Sequence, residues 1–135
     1  MSTLIRQSPH SALLTRVGDW VDRICRREMP RVHSAFVFSG LPVGVVAQLW
    51  LEQCFLNYLP VEAIYKFILA LIVLGPEIAV YFTCAVIKDR AASCIDAQID
   101  QDLARMLKHS QQQQFELALH VPYMRQLQKM YQVEF

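Results

Sequence analysis

The chain has 135 residues, 54% of them apolar and 19% charged, and its 13 basic side chains nearly balance its 12 acidic ones. That length fits one domain, and so even a balance excludes a nucleic-acid partner held by a large positive field. The apolar share is high for a small domain wetted on all sides, so the placement of the charges decides the reading.

Residues 1–34 form a basic amphipathic segment. Its opening, "MSTLIRQSPHSALLTR", has serine, threonine and two arginines without an acid, the composition of a mitochondrial presequence. No apolar core of a secretory signal lies near the start. From Ser11 to Glu28, Leu13, Leu14, Val17, Trp20, Val21 and Ile24 recur at spacings of three and four, while Arg16, Asp19, Arg23, Arg26 and Arg27 take other faces. Such a helix ahead of an apolar run lies along a membrane surface or against a protein neighbour. In the first case Arg23, Arg26, Arg27 and Arg31 are the residues that face the phospholipid.

Residues 35–59 are expected to form a first transmembrane helix, Ala35 to Leu51, with the less apolar extension "EQCFLNYLP" ending at Pro60. Within it "SGLPVG" sets Gly40 and Gly44 in a G-x-x-x-G spacing that permits close helix packing. Trp50, Tyr58 and Tyr65 cluster about the connection at 60–62, as interfacial anchors do.

The second expected span, 63–87, exceeds a hydrocarbon core of roughly 30 Å at about 1.5 Å per residue. It carries Lys66 at one edge and Glu77 in the middle of "LIVLGPEIAV", directly after Pro76. On one helix, Lys66, Glu77, Tyr81, Cys84 and Lys88 share a side, a sparse polar stripe that should face protein or water. A carboxylate at that depth costs roughly 2.5 to 3.5 kcal/mol on insertion scales, so it should be neutralised, paired or functional. Pro76 frees the carbonyl of Ile72 and kinks the helix. In an antiparallel hairpin Gly40 and Gly44 would reach about the depth of Glu77.

Residues 88–135 are expected to be a helical tail. Ile95, Ile99, Leu103, Met106 and Leu107 make a stripe from Ala91 to His109, "SQQQQ" is a polar break, and Phe115 to Tyr131 is a helical stretch interrupted at "HVPY" by Pro122. The short loop between the spans has Glu52 and Glu62 and no base, whereas "ICRREMPRVH" and "KDR" flank them. Both termini are therefore placed on the matrix or cytoplasmic side.

The four cysteines make no disulfide framework, and the scattered histidines, 10, 33, 109 and 120, fix no metal. Glycine loops for phosphate, H-E-x-x-H and G-x-S-x-G are absent. The chain is accordingly read as non-catalytic, with no cofactor beyond a bound structural lipid. One competing architecture, a compact all-α domain that buries both apolar runs, is disfavoured because Phe67 to Ile87 shows almost no polar face.

The architecture expected is all-α: an integral membrane hairpin of two transmembrane helices with an amphipathic N-terminal helix and a helical tail. The function expected is that of an accessory subunit in a respiratory or ATP-synthase complex of the mitochondrial inner membrane. Its partners would be other membrane subunits and phospholipid. The alternative is a homo-oligomeric proton- or ion-conducting or pore-forming small membrane protein that uses Glu77.

Overall fold

Proline and glycine, more than hydropathy, decide where this chain's helices begin and end. In the computed structural model, residues 9–56, 58–92 and 115–135 are described, and they form six helices. These are α1 (Pro9–Glu28), α2 (Pro30–Phe38), α3 (Val43–Glu52), α4 (Val61–Leu74), α5 (Ile78–Ala92) and α6 (Leu117–Tyr131). Pro30 opens α2 at a position where its missing N–H costs nothing, and Pro42 and Pro60 are the N-caps of α3 and α4.

The all-α expectation agrees with this structure, and the membrane hairpin does not. Among the described residues no single helix is long and apolar enough to cross a membrane. The first expected span divides at Ser39 to Pro42, where Gly40 takes φ +80° and the chain leaves α2 for α3. Those two helices have enough apolar length together, yet they meet at 86°.

The second expected span divides as well. Gly75, at φ 105° and ψ 170°, occupies backbone space that is essentially reserved for glycine, and Pro76 behind it has no N–H to continue the ladder. Phe67 and Phe82 show the result. In an unbroken helix these rings would stand about 22 Å apart along the axis, but their centroids are 4.3 Å apart and stacked. The kink expected at Pro76 is thus a full helix break, with α5 folded back along α4.

Every residue from Ile78 to Ile87 is buried, which makes α5 the central helix, packed by α1, α4 and α6. A helix apolar on all sides belongs inside a protein as readily as inside a bilayer, so the missing polar face of Phe67 to Ile87 records enclosure by neighbouring helices. The amphipathic N-terminal helix has the same explanation. Its stripe of Leu14, Val17, Val21 and Ile24 is buried, and α1 makes its main contacts with α3 and α5.

The α1–α3 crossing is closed by two glycines. A Cβ on Gly44 would stand 2.7 Å from the carbonyl oxygen of Gly18, and one on Gly18 would stand 2.7 Å from that of Gly44. Gly44 therefore does allow a close approach, but to α1 and not to the second apolar run. Gly40 is in the α2–α3 turn, where an added Cβ meets nothing within 4 Å, so the two glycines do not share a helix face.

Between α3 and α4 the chain adopts left-handed backbone at Cys54 (φ 53°) and Phe55 (φ 58°). Each such residue costs about 1 to 3 kcal/mol. Burial of the Phe55 ring offsets this. It lies 5.9 Å from Trp50, 5.5 Å from Phe67 and 5.2 Å from Phe82, centroid to centroid. Trp50 is 1% exposed and Tyr58 packs 5.7 Å from it, so these two members of the expected interfacial belt belong to the core. Tyr65 is 62% exposed on α4.

Gly44→Ala is expected to lower the thermal midpoint of the segment by about 5 to 10 °C, from overpacking worth about 1 to 3 kcal/mol. Gly40→Ala carries only the left-handed backbone penalty of about 1 to 2 kcal/mol. Thermal unfolding followed by circular dichroism separates the two, and an equal or larger loss at Gly40 would remove the close-packing account of Gly44.

Candidate functional site

The helix break that ends α4 also makes a cleft. Its walls are Ala70 and Leu74 of α4, Ile78 of α5, and Leu117, Val121 and Met124 of α6, around a volume of about 470 Å³. Glu77, Tyr81, Arg125 and Gln128 supply its polar groups. A second hollow of about 520 Å³ adjoins it, shares Glu77, Tyr81 and Gln128, and is completed by Gln132, Val133, Glu134 and Phe135.

Local backbone geometry positions Glu77. Its carboxylate folds back over Gly75, where a side chain's Cβ would collide with Oε1. The space a Cβ would fill thus holds the carboxylate, which a side chain at position 75 would displace. Glu77 is half-buried, and its side chain makes no hydrogen bond or ion pair among the described residues.

Tyr81, one turn into α5, is buried, and its hydroxyl oxygen accepts the Val133 N–H at 2.9 Å. This bond pins the residues that follow α6, beyond the left-handed Gln132 (φ 46°). Burial raises the Tyr81 phenol above its ordinary pKa, Glu77 and Cys84 add to the rise, and the Val133 bond opposes it. Tyr81 is therefore a neutral anchor at neutral pH.

The remaining sequence-derived candidates scatter. Lys66 is exposed on α4 and does not line the cleft, so the structure joins Glu77 to Tyr81 and leaves Lys66 outside. Pro76 is the elbow itself. Arg23, Arg26, Arg27 and Arg31 are exposed along α1 and α2. Two of them have aromatic partners: Arg23 is 4.4 Å from the Trp20 ring, and Arg27 is 5.9 Å from that of Tyr131. The stripe expected at Ala91 to His109, the "SQQQQ" break and the presequence-like start at residues 1–8 lie outside the described residues, apart from Ala91 and Ala92 at the end of α5.

Five contacts carry weight that sequence reading missed. Arg90, 1% exposed, donates to the Tyr58 carbonyl at 3.1 Å and to Asp89 at 3.0 Å. Asp89 in turn lies 3.4 Å from His120, whose ring stacks on Phe115 at 4.4 Å. The Tyr131 hydroxyl donates to Glu28 at 2.6 Å, joining the ends of α6 and α1. Burial, then the Glu28 carboxylate, pushes the Tyr131 phenol up to about 12.

Leu117, Val121 and Met124 form an i, i+4, i+7 set that could have marked the α6 face, but sequence reading puts an interruption at Pro122. The helix continues through Pro122. Ala118, whose carbonyl loses its i+4 donor, is exposed, so water can serve it.

A separate feature is the outer surface of α4, where Tyr65, Leu69, Ile72 and Val73 are between 44% and 76% exposed. Exposed apolar side chains grouped on one helix face are the kind of surface that a protein partner or a membrane covers.

Tyr81→Phe leaves the buried Val133 N–H without its acceptor, at a cost of about 1 to 3 kcal/mol. The expected outcome is fast amide exchange at Val133 with α5 protection retained; unchanged exchange would remove the anchor role. His120 predicts a pH effect. Its pKa is lowered from 6.5 by burial first, with Lys88 and Arg90 adding to the fall against the pull of Asp89. The unfolded chain then takes up this proton before the folded one, so stability is level above about pH 6.5 and declines on acidification below it. His120→Gln should flatten that part of a denaturation series, and an unaltered slope would assign the acid loss elsewhere.

Residues 1–134 match the family described as Broad-minded protein Rab TBC domain. The protein broad-minded of Danio rerio is 28% identical over 127 residues, covering 94% of this chain and 10% of that protein. Its counterpart in Mus musculus is 32% identical over 112 residues, covering 83% of this chain and 9% of that protein. The chain thus spans about a tenth of the length of these curated relatives. No solved structure matches it.

These relationships overturn the expected function. An accessory subunit of a respiratory or ATP-synthase complex, with neighbouring membrane subunits and phospholipid as partners, has no support from a Rab TBC family. The mitochondrial inner-membrane location and the orientation of the termini rested on spans that the structure replaces with short, folded-back helices. The proton-conducting alternative fails for the same reason, since Glu77 is at an elbow between two helices and not at mid-span. By the match of 134 of its 135 residues, the chain belongs to the Broad-minded Rab TBC domain family.

Proposed function

We propose that this chain, as a segment of a longer protein, engages GTPases of the Rab class and supplies part of the surface that recognises them. The observation that carries this reading is the family match over residues 1–134, whose description names Rab and TBC together. The surface we assign is the outer face of α4, with Tyr65, Leu69, Ile72 and Val73 as apolar anchors. Exposed aromatic and branched side chains on a regular helix lose little freedom when a partner covers them.

Acceleration of GTP hydrolysis is a further step that such an encounter permits, and it requires a group such as arginine at the transferring phosphoryl. Arg90 is buried and its guanidinium holds Tyr58 and Asp89. Arg23 and Arg27 rest against aromatic rings. We assign recognition to this segment and leave the chemical step to be measured on the whole protein.

A second reading has one observation in its favour: nine-tenths of each relative lies outside the matched region. The α4 face would then pack against another part of the longer protein.

The test is binding of the full-length protein to a Rab panel loaded with GDP or a non-hydrolysable GTP analogue, with hydrolysis rates measured in parallel. Nucleotide-dependent binding is expected, weakened at least about tenfold by Ile72→Asp with Val73→Asp while helix content is kept. Absence of binding across the panel would sink the proposal. Unchanged Rab affinity with a lowered melting temperature would transfer the α4 face to the internal-packing reading.

A further inference from the structure

We propose that the cleft between the α4–α5 elbow and α6 is a docking site for an amphipathic helical segment of a partner protein, apolar along one face and bearing lysine or arginine at one end. The inference does not depend on the Rab reading, which concerns the opposite, outer surface of α4.

Dimensions come first. The residues of α6 that line the cleft run from Leu117 to Gln128, about 16 Å of helix, or some three turns. Val121 is half-buried and Met124 is 8% exposed, so this wall is recessed and forms a groove. On the facing rim Leu74 is 60% exposed, continuing the apolar surface outward. An apolar trough of this length suits helix-in-groove recognition, in which anchors at i, i+3, i+4 and i+7 enter the groove.

Charge then selects the occupant. At the end where α6 finishes, the adjoining hollow contains Glu77 and Glu134 and, among the described residues, is lined by no lysine or arginine. Glu77 has no side-chain partner among the described residues, although Arg125 lines the same cleft and forms no ion pair with it. Arg125 belongs equally to the other flank of α6, a shallow basic hollow that it shares with Lys129. The sign therefore changes across α6, and a bound segment is oriented with its cationic end over Glu77. A cation placed over that carboxylate compensates its removal from water more strongly than a neutral donor does.

Among the described residues the basic amphipathic helix is α1, whose apolar stripe is already buried against α3 and α5, so α1 is not that segment. The occupant we assign is a segment of a partner protein.

The probe is a fluorescein-labelled synthetic amphipathic helix of about three turns with leucines at i, i+3, i+4 and i+7 and two terminal lysines, compared with the same helix carrying two terminal glutamates. Anisotropy is measured against the full-length protein, its Glu77→Lys variant and its Val121→Trp variant, with helix content checked for each. The lysine helix should bind saturably and the glutamate helix at least about tenfold more weakly. Glu77→Lys should invert that order, and Val121→Trp, which fills the trough, should abolish binding of both. Equal affinities for the two helices, no saturable binding, or an order untouched by Glu77→Lys would each overturn the proposal. If Glu77→Lys does not fold, Glu77→Gln should reduce the difference between the helices to near unity, and retention of the full difference would overturn the proposal equally.

Discussion

The reversal at Gly75 and Pro76 is the constraint on which the rest of this structure depends. One residue adopts backbone that a Cβ would forbid, the next cannot donate a hydrogen bond, and α5 is returned alongside α4. The Phe67–Phe82 stack exists only because of that return, and it continues a series of ring contacts from Trp50 through Phe55 to Phe115 and His120. Each buried aromatic in that series contributes about 1.5 to 3 kcal/mol through removal from water. The same reversal leaves the carboxylate of Glu77 at the edge of an apolar cleft, so the core and the candidate site share one origin.

Around this core the polar contacts act at helix ends. Arg90 reaches from α5 to the Tyr58 carbonyl in the turn before α4, and through Asp89 the same helix meets His120 of α6. Tyr81 holds the backbone after α6, and Tyr131 meets Glu28 at the end of α1. Apolar packing is indifferent to small rotations of one helix on another, whereas a donor and acceptor at fixed distance are not. These few bonds therefore give the bundle its register.

Helix content was legible in the sequence, and so was the buried stripe of α1, because a period of three to four residues survives whatever covers it. The medium was not legible. A helix enclosed by α1, α4 and α6 and a helix enclosed by lipid present the same all-round apolar composition, and Phe67 to Ile87 satisfies either. Length could have decided the matter had the breaks been given full weight: Gly40 with Pro42, and Gly75 with Pro76, each place a residue suited to left-handed or extended backbone beside one that cannot donate. Of the site, Glu77 and Tyr81 were recognised as neighbours because four residues separate them. The α6 wall was obscured by Pro122, and Arg90 was invisible because its acceptor, the Tyr58 carbonyl, is 32 positions away.

The Tyr131–Glu28 bond joins residues 103 positions apart. Contacts of such sequence separation incur the full entropy of closing the intervening chain before they return anything, so they form late in folding. α6 is fastened at its end by this bond and by the Tyr81 hydroxyl accepting the Val133 N–H, so an opening of α6 breaks both together. Since α6 is also one wall of the cleft, anything bound there would report itself as slower hydrogen exchange throughout α6 and not only at the residues it touches.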